Sequence, residues 1–513
     1  MRSWRIGLVI AVLAGAGCSS SSGRPLLGAA GAGGTGAGGS GGSGGRFTQN
    51  VSAVTPRAVD ILFMVDNSSS MRLAQNNLLA NFSSFVTALQ GLPGGMPDVH
   101  IGVVSQDMGA GDGSIAGCQN DGNGLMPGGN QGIFQYTARG TCTTTGLNAG
   151  ATYISNVGGV ANYTGDLASV FKCIAALGET GCGFEHQFAA VLRALGADGQ
   201  AAPQENQGFL RTDAKLMIVM LTNEDDCSAM PGIALYDTTS NVNVASMFGP
   251  PANYRCNEFG HLCSIGSGAP AHPRRLAPNN DVNATVAYDQ CASNDTEGYL
   301  LSVKQTADAL KALKVDASYV SVVAVSGAPT PYVVHWKNPS TMDTSCNTTG
   351  QSCPWPEITH SCTAADGSFA DPGVRISQLV GEFGATGLQQ SICDANFGPG
   401  LAQAAGLLAS QVAPRCIDRL IADDPSKPGL QPDCTAVGHH NNGNNMFVDT
   451  PLPACADNGG AAPCWTLSKD FPSCSGSSVV ITLDPASTTN PETVTLSCLP
   501  CAQDGSAGAT DCY

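Results

Sequence analysis

"VDILFMVDNSSSM", residues 59–71, passes from a nearly continuous apolar run into Asp66, Asn67 and three consecutive serines. An apolar run without alternation fits a parallel strand covered on both faces. The serine-rich stretch then falls at the carboxyl tip of that strand, on the turn into the next element. Alternate residues on such a turn can point the same way, so Asp66, Ser68 and Ser70 present one carboxylate and two hydroxyls around a point. An all-oxygen set of this kind suits a hard cation such as Mg²⁺, Mn²⁺ or Ca²⁺. Asp and Ser also cap helices, but a cap needs one such residue and not three in alternation.

Outward from this stretch, strand and helix signals alternate. Leu78, Phe82, Phe85, Val86 and Leu89 stand at helical spacing, and "VHIGVVS" (99–105) reads as a second buried strand. Phe184, Phe188, Val191, Leu192 and Leu195 mark a helix ended by Gly196. "KLMIVMLT" (215–222) and "YVSVVAVS" (319–326) are further strands, with the helical pattern of Tyr299 to Leu313 between them. A last helix fits 400–412. The pattern predicts an α/β fold with a doubly wound, mostly parallel sheet over 57–415. Three glycine- and cysteine-rich insertions, near 109–172, 228–295 and 327–372, interrupt it; disulfides can pin such excursions to the scaffold. From 416 to 513 helical periodicity stops, and "SSVVITLDP" and "ETVTLSC" predict strands of a small cysteine-rich β domain.

The chain has 513 residues, 21 cysteines and a net charge of −17, with only 12% charged residues. So few cationic side chains cannot neutralise many phosphates, which argues against nucleic acid and anionic membrane faces. Residues 1–17 read as a secretory leader, with Arg2 and Arg5 before an apolar run too short to span a bilayer. "GAGC" (15–18) resembles a lipobox lacking its usual leucine, which predicts lipidation of Cys18. The remaining cysteines then divide evenly, twelve between 118 and 393 and eight between 416 and 512. That parity suits an oxidised, exported protein. The tract at 18–56, nearly all Gly, Ser and Ala as far as residue 45, reads as a flexible tether whose first part spans roughly 30 Å.

"DNSSS" after a buried strand resembles the metal-ion-dependent adhesion site of von Willebrand factor type A domains. The resemblance implies that Asp66, Ser68 and Ser70 hold the ion, that Thr180 in "GETGCGFEH" adds a hydroxyl, and that the loop after the central strand adds an aspartate. In this chain that last position is Asn223, in "TNEDDCS", a neutral residue that weakens the site; Glu224, Asp225 and Asp226 follow and could compensate by a loop shift. "GCGFE" and "EDDCS" are also similar to segments of secreted, cysteine-rich type A lipoproteins of myxobacteria and relatives.

The resemblance implies a divalent-cation-dependent, adhesion-type binding module tethered to the bacterial cell envelope at the outer membrane or cell surface. Mg²⁺ is the first choice of cation, and the partner is a protein offering an acidic side chain. Membrane contact is expected only through the lipid anchor. The alternatives are a structural envelope lipoprotein with a vestigial site and, further off, a metal-assisted hydrolase. Outside the glycine-rich tract no G-x-S-x-G elbow occurs, and there is no H-E-x-x-H motif or phosphate loop, so the chain reads as a binding protein and not an enzyme. "CLPC" (498–501) reads as structural disulfide cysteines, His439-His440 as a polar turn, and Asp121 with Asn123 as an incomplete calcium loop.

Overall fold

The computed structural model describes residues 46–501 except 53–57, 93–94, 111–128, 213, 237–245, 250–253, 282, 315, 338–353, 413–414, 418, 425, 428–430, 442–446, 469–478 and 485–492. Cys18, Asp121 and Asn123 lie outside the described residues.

Val59–Val65 is buried throughout because both faces of its strand are covered. This strand, β1 (Ala58–Val65), lies at the centre of a seven-stranded sheet. The others in chain order are β2 (Asp98–Ser105), β3 (Ile154–Val157), β4 (Val160–Ala161), β5 (Lys215–Leu221), β6 (Val320–Ser326) and β7 (Gly387–Ser391). Their spatial order is β7-β6-β5-β1-β2-β3-β4. Neighbours from β7 to β2 pair in parallel, while β3 and β4 run antiparallel at one edge.

Odd-numbered side chains of β1, from Val59 to Val65, pack on one face with α1 (Arg72–Gln90), α2 (Leu167–Ala175) and α7 (Gly398–Val412). Leu62 and Met64 face the other side, against α3 (Gln187–Leu195), α5 (Val303–Lys311) and α6 (Val374–Glu382). The sheet is thus doubly wound. Phe63 anchors the first face, its ring centroid 5.6 Å from Phe82 and 4.8 Å from Phe171. Losing such a buried ring costs about 3–5 kcal/mol. The one charge in this strand, Asp60, is held by Arg211 Nε at 2.8 Å and Lys314 Nζ at 3.3 Å. α3 ends as its sequence predicts, with Gly196 in the left-handed conformation at φ 69°.

The insertions are more than loops pinned by disulfides. Thr285–Tyr288, Tyr332–Lys337 and Trp355–Ile358, drawn from the second and third, pair as an antiparallel sheet of their own over Tyr288, Tyr332, Val334 and Trp336. The helix α4 (Tyr254–Gly260) leads into Cys263, and Cys227–Cys256 and Cys263–Cys291 bridge this region. Cys142–Cys173 and Cys362–Cys393 fasten the other two insertions. Each closes a loop of about 30 residues, worth roughly 3–4 kcal/mol by loop-closure entropy. The first insertion also ends earlier than the sequence suggests, because α2 begins at Leu167.

Beyond 415, strands pack around Ile421, Leu452, Trp465, Ile481 and Leu496. Two features here correct the sequence reading. Phe47–Ser52, assigned to the tether, pairs antiparallel with Thr493–Cys498, so these six residues are strand and not linker. His439 and His440 lie on the strand Cys434–Asn441 and not on a turn; His439 bonds Asp449 and Thr495, each at 2.7 Å. Cys498 bridges Cys434, and Cys501 belongs to a separate disulfide. Among the described residues no helix is long and apolar enough to cross a membrane.

Candidate cation site at the tip of the central strand

The strand order reverses between β1 and β5, which is where an open α/β sheet leaves a crevice beyond its carboxyl ends. The Asp66 N–H donates to Leu221 O at 2.9 Å, so the two strand tips leave the sheet together. Asp66 is fully buried. Its Oδ1 accepts from the Ser68 N–H at 2.8 Å and its Oδ2 from the Thr222 hydroxyl at 2.7 Å. The Gln75 amide donates to the Asp66 carbonyl and to Gly178 O, tying the turn to α1 and to the neighbouring loop.

Ser68 is buried and Ser70 half-buried, while Ser69 between them is exposed. Asn67 is buried as well, so burial does not alternate strictly along this turn. None of these side chains caps the helix: the N-cap of α1 is Met71, without a side-chain hydrogen bond. Ser70 Oγ accepts from Asn223 Nδ2 at 2.9 Å. Asn223 Oδ1 then has no donor, and Ser68 Oγ lies beside the Asp66 carboxylate without a well-directed bond. Both residues are 3% exposed.

Thr180 stands exposed at the mouth, on a loop fastened to the serine turn on both sides. The Gly181 N–H donates to Asn67 O at 2.8 Å, and Glu179 pairs with Arg72 at 3.4 Å. A Cβ on Gly181 would sit 2.3 Å from Asn67 Oδ1, so only glycine permits this approach. The structure therefore brings Asp66, Ser68, Ser70 and Asn223 together and sets Thr180 beside them.

Two members of the acidic run after Asn223 are engaged elsewhere, while the charge of Glu224 bears on Glu185. Asp225 accepts from the N–H groups of Arg375 and Ile376 at the start of α6 and bonds His261 Nε2 at 2.8 Å. Burial works to raise its carboxyl, but His261 and Arg375 outweigh that and hold it low. Asp226 accepts from the Phe188 N–H of α3 at 2.9 Å and pairs with Arg375 at 3.0 Å. Both aspartates are bound to helix ends on the far side of the loop, and no small shift frees them.

Sequence reading missed Glu185. Its backbone is set by neighbours: its carbonyl accepts from the Cys227 N–H at 2.6 Å, and Gln106 bonds Cys182 O and the His186 N–H on either side. Its side chain is buried, at 2% exposure, and lies within hydrogen-bonding reach of Asp66, yet neither carboxyl oxygen receives a hydrogen from any donor. Burial, then the charges of Asp66, Glu224 and Asp107, push its carboxyl well above the ordinary range. Burial raises Asp66 too, against the bonds from Ser68 and Thr222. No local signal marks it: Glu185 stands just before the N-cap of α3, and the groups around it arrive from distant loops.

Among the described residues no group of three or more His, Cys, Asp or Glu is arranged to hold a metal. The donors here are two carboxyls together with hydroxyl and amide oxygens, a set that fits a hard divalent cation and not a soft one.

No protein-family model matches the chain, and no curated protein matches it. Among solved structures, the pilus adhesin (RrgA) from Streptococcus pneumoniae is similar at a TM-score of 0.25 and 10% identity. The match covers 88% of this chain, which spans 57% of the adhesin's length. A score that low constrains neither fold family nor function.

Proposed function

We propose that the chain is a divalent-cation-dependent protein-binding module of the bacterial cell envelope, of the adhesion type and tethered through Cys18 at the outer membrane or cell surface. The observation that carries this reading is the set of buried oxygens without donors around the Asp66 turn, Ser68 Oγ and Asn223 Oδ1. Buried polar atoms are rarely left unmatched, and orphaned oxygens gathered about a buried carboxylate suit a cation. Asp66 would hold it by charge, with Ser68, Ser70, Thr180 and Asn223 supplying neutral oxygens. Mg²⁺ comes first, with Ca²⁺ and Mn²⁺ behind it. Such a cation supplies an electrophilic point that a carboxylate of a partner protein completes. The disulfides suit an oxidising compartment outside the cytosol.

A structural envelope role with a vestigial site is the second reading. It is favoured by the bond from Asn223 Nδ2 to Ser70 Oγ, which satisfies part of the turn without any ion. Calorimetric titration of the full chain with Mg²⁺, Ca²⁺ and Mn²⁺ separates the two. The binding reading expects saturable uptake in the wild type and none in Asp66→Ala. No uptake in the wild type leaves only the structural role.

A further inference from the structure

Asp66 and Glu185 are both buried and their carboxyls face each other. Among the described residues no lysine, arginine or histidine bonds or pairs with either side chain. Three other buried carboxylates have a cation or a helix end: Asp60 has Arg211 and Lys314, Asp225 has His261 and α6, and Asp226 has Arg375; buried Asp107 accepts instead from the Gly109 N–H. Two buried carboxyls in contact cannot both stay ionised unaided: they share a proton, or a cation lies between them and displaces it. The loop that carries Glu185 is held rigidly at Cys182, Glu185 and His186, so the side chain is delivered to Asp66 and does not drift there.

We propose that Glu185 is a direct ligand of the cation at the Asp66 turn and supplies the second negative charge that Asn223 does not. The inference rests on the cation reading above and goes beyond it by assigning a ligand and a charge balance. Two protein carboxylates neutralise a divalent ion. The site then binds its cation without help from a partner, and it favours doubly charged ions over Na⁺ or K⁺. Glu185 also lines a small cavity with Gly183, Glu224, Asn257 and Asp371.

The test is Mg²⁺ and Mn²⁺ titration of the full chain, by calorimetry and by the rise in melting temperature at saturating metal. Glu185→Gln keeps the shape and removes the charge; it is expected to weaken binding about ten-fold, about 1.4 kcal/mol. Its metal-free melting temperature should equal or exceed that of the wild type, because a buried repulsion is gone. Adding Asn223→Asp to Glu185→Gln should restore most of the affinity by returning the charge from another strand tip. Glu185→Asp, should the amide variant fold poorly, is expected to lose less affinity than the amide would. Unchanged affinity in Glu185→Gln, or in both Glu185 variants, with Asp66→Ala still inactive, overturns the role of Glu185 and leaves the cation site standing. No binding in the wild type, or full binding in Asp66→Ala, overturns both.

Discussion

At the scale of single residues, Asn223 decides how strongly the turn holds an ion. It donates to Ser70 and leaves its buried carbonyl oxygen without a hydrogen-bond partner. Asn223→Asp exchanges a donor for a charge at almost no cost in volume, and Ser70 can turn its hydroxyl to donate instead. Cation affinity is expected to rise about five- to thirty-fold, or 1–2 kcal/mol. The metal-free protein should melt lower, since a third negative group joins Asp66 and Glu185. Calorimetry and thermal unfolding, with and without Mg²⁺, check both; a variant with neither change places Asn223 outside the site. Asp66, Ser68 and Ser70 were legible in the sequence because a turn puts alternate residues on one side, a property of five adjacent positions. Glu185 was not. Its place beside Asp66 depends on a loop arriving from more than a hundred residues away, and nothing local to "GFEH" encodes that.

Helices and strands follow the same division. β1, β2, β5 and β6 were legible because a strand covered on both faces is apolar throughout. β3, β4 and β7 were not, for they lie at or beside the edges and stay half-exposed, and "GLQQS" carries no apolar signal. The sheet built by the insertions was equally hidden, since Thr285–Tyr288 finds its partner only at Tyr332–Lys337. One insertion residue nevertheless acts on the scaffold. Asp295 accepts from the Val303 and Lys304 N–H groups at the start of α5 and from the Ser293 and Ser302 hydroxyls. Partial burial works to raise its carboxyl, and these four bonds together lower it. A lowered native value means that the stabilisation is complete above the ordinary carboxylate range and is lost as pH falls through the native value. Asp295→Ala is expected to cost about 1–2 kcal/mol near neutral pH, as a lost helix cap does, and to cost progressively less in acid. Denaturant unfolding at a series of pH values measures it. An equal loss at all pH values would assign the effect to packing and not to charge.

Across the whole molecule, the two ends of the described chain share one sheet. Phe47–Ser52 covers the edge of Thr493–Cys498, and Arg46 adds bonds to the Asp433 carboxylate, the Asp433 carbonyl and the Ser497 carbonyl. A chain that begins after Ser52 should lower the melting temperature of the C-terminal β region and expose an unpaired edge that promotes aggregation. Calorimetric scanning and light scattering check this; an unaltered melt would make the strand dispensable. The pairing has a mechanical consequence. Tension entering ahead of Arg46 meets a strand laid antiparallel along a partner that Cys434–Cys498 fastens to the next strand. Such a strand is loaded in shear, with its pairs strained together instead of opening one after another. Beyond it the same backbone runs into β1, the strand whose tip is the Asp66 turn. Under such a load Phe47–Ser52, held by six residue pairs to one neighbour, would yield before β1, which is paired along both sides.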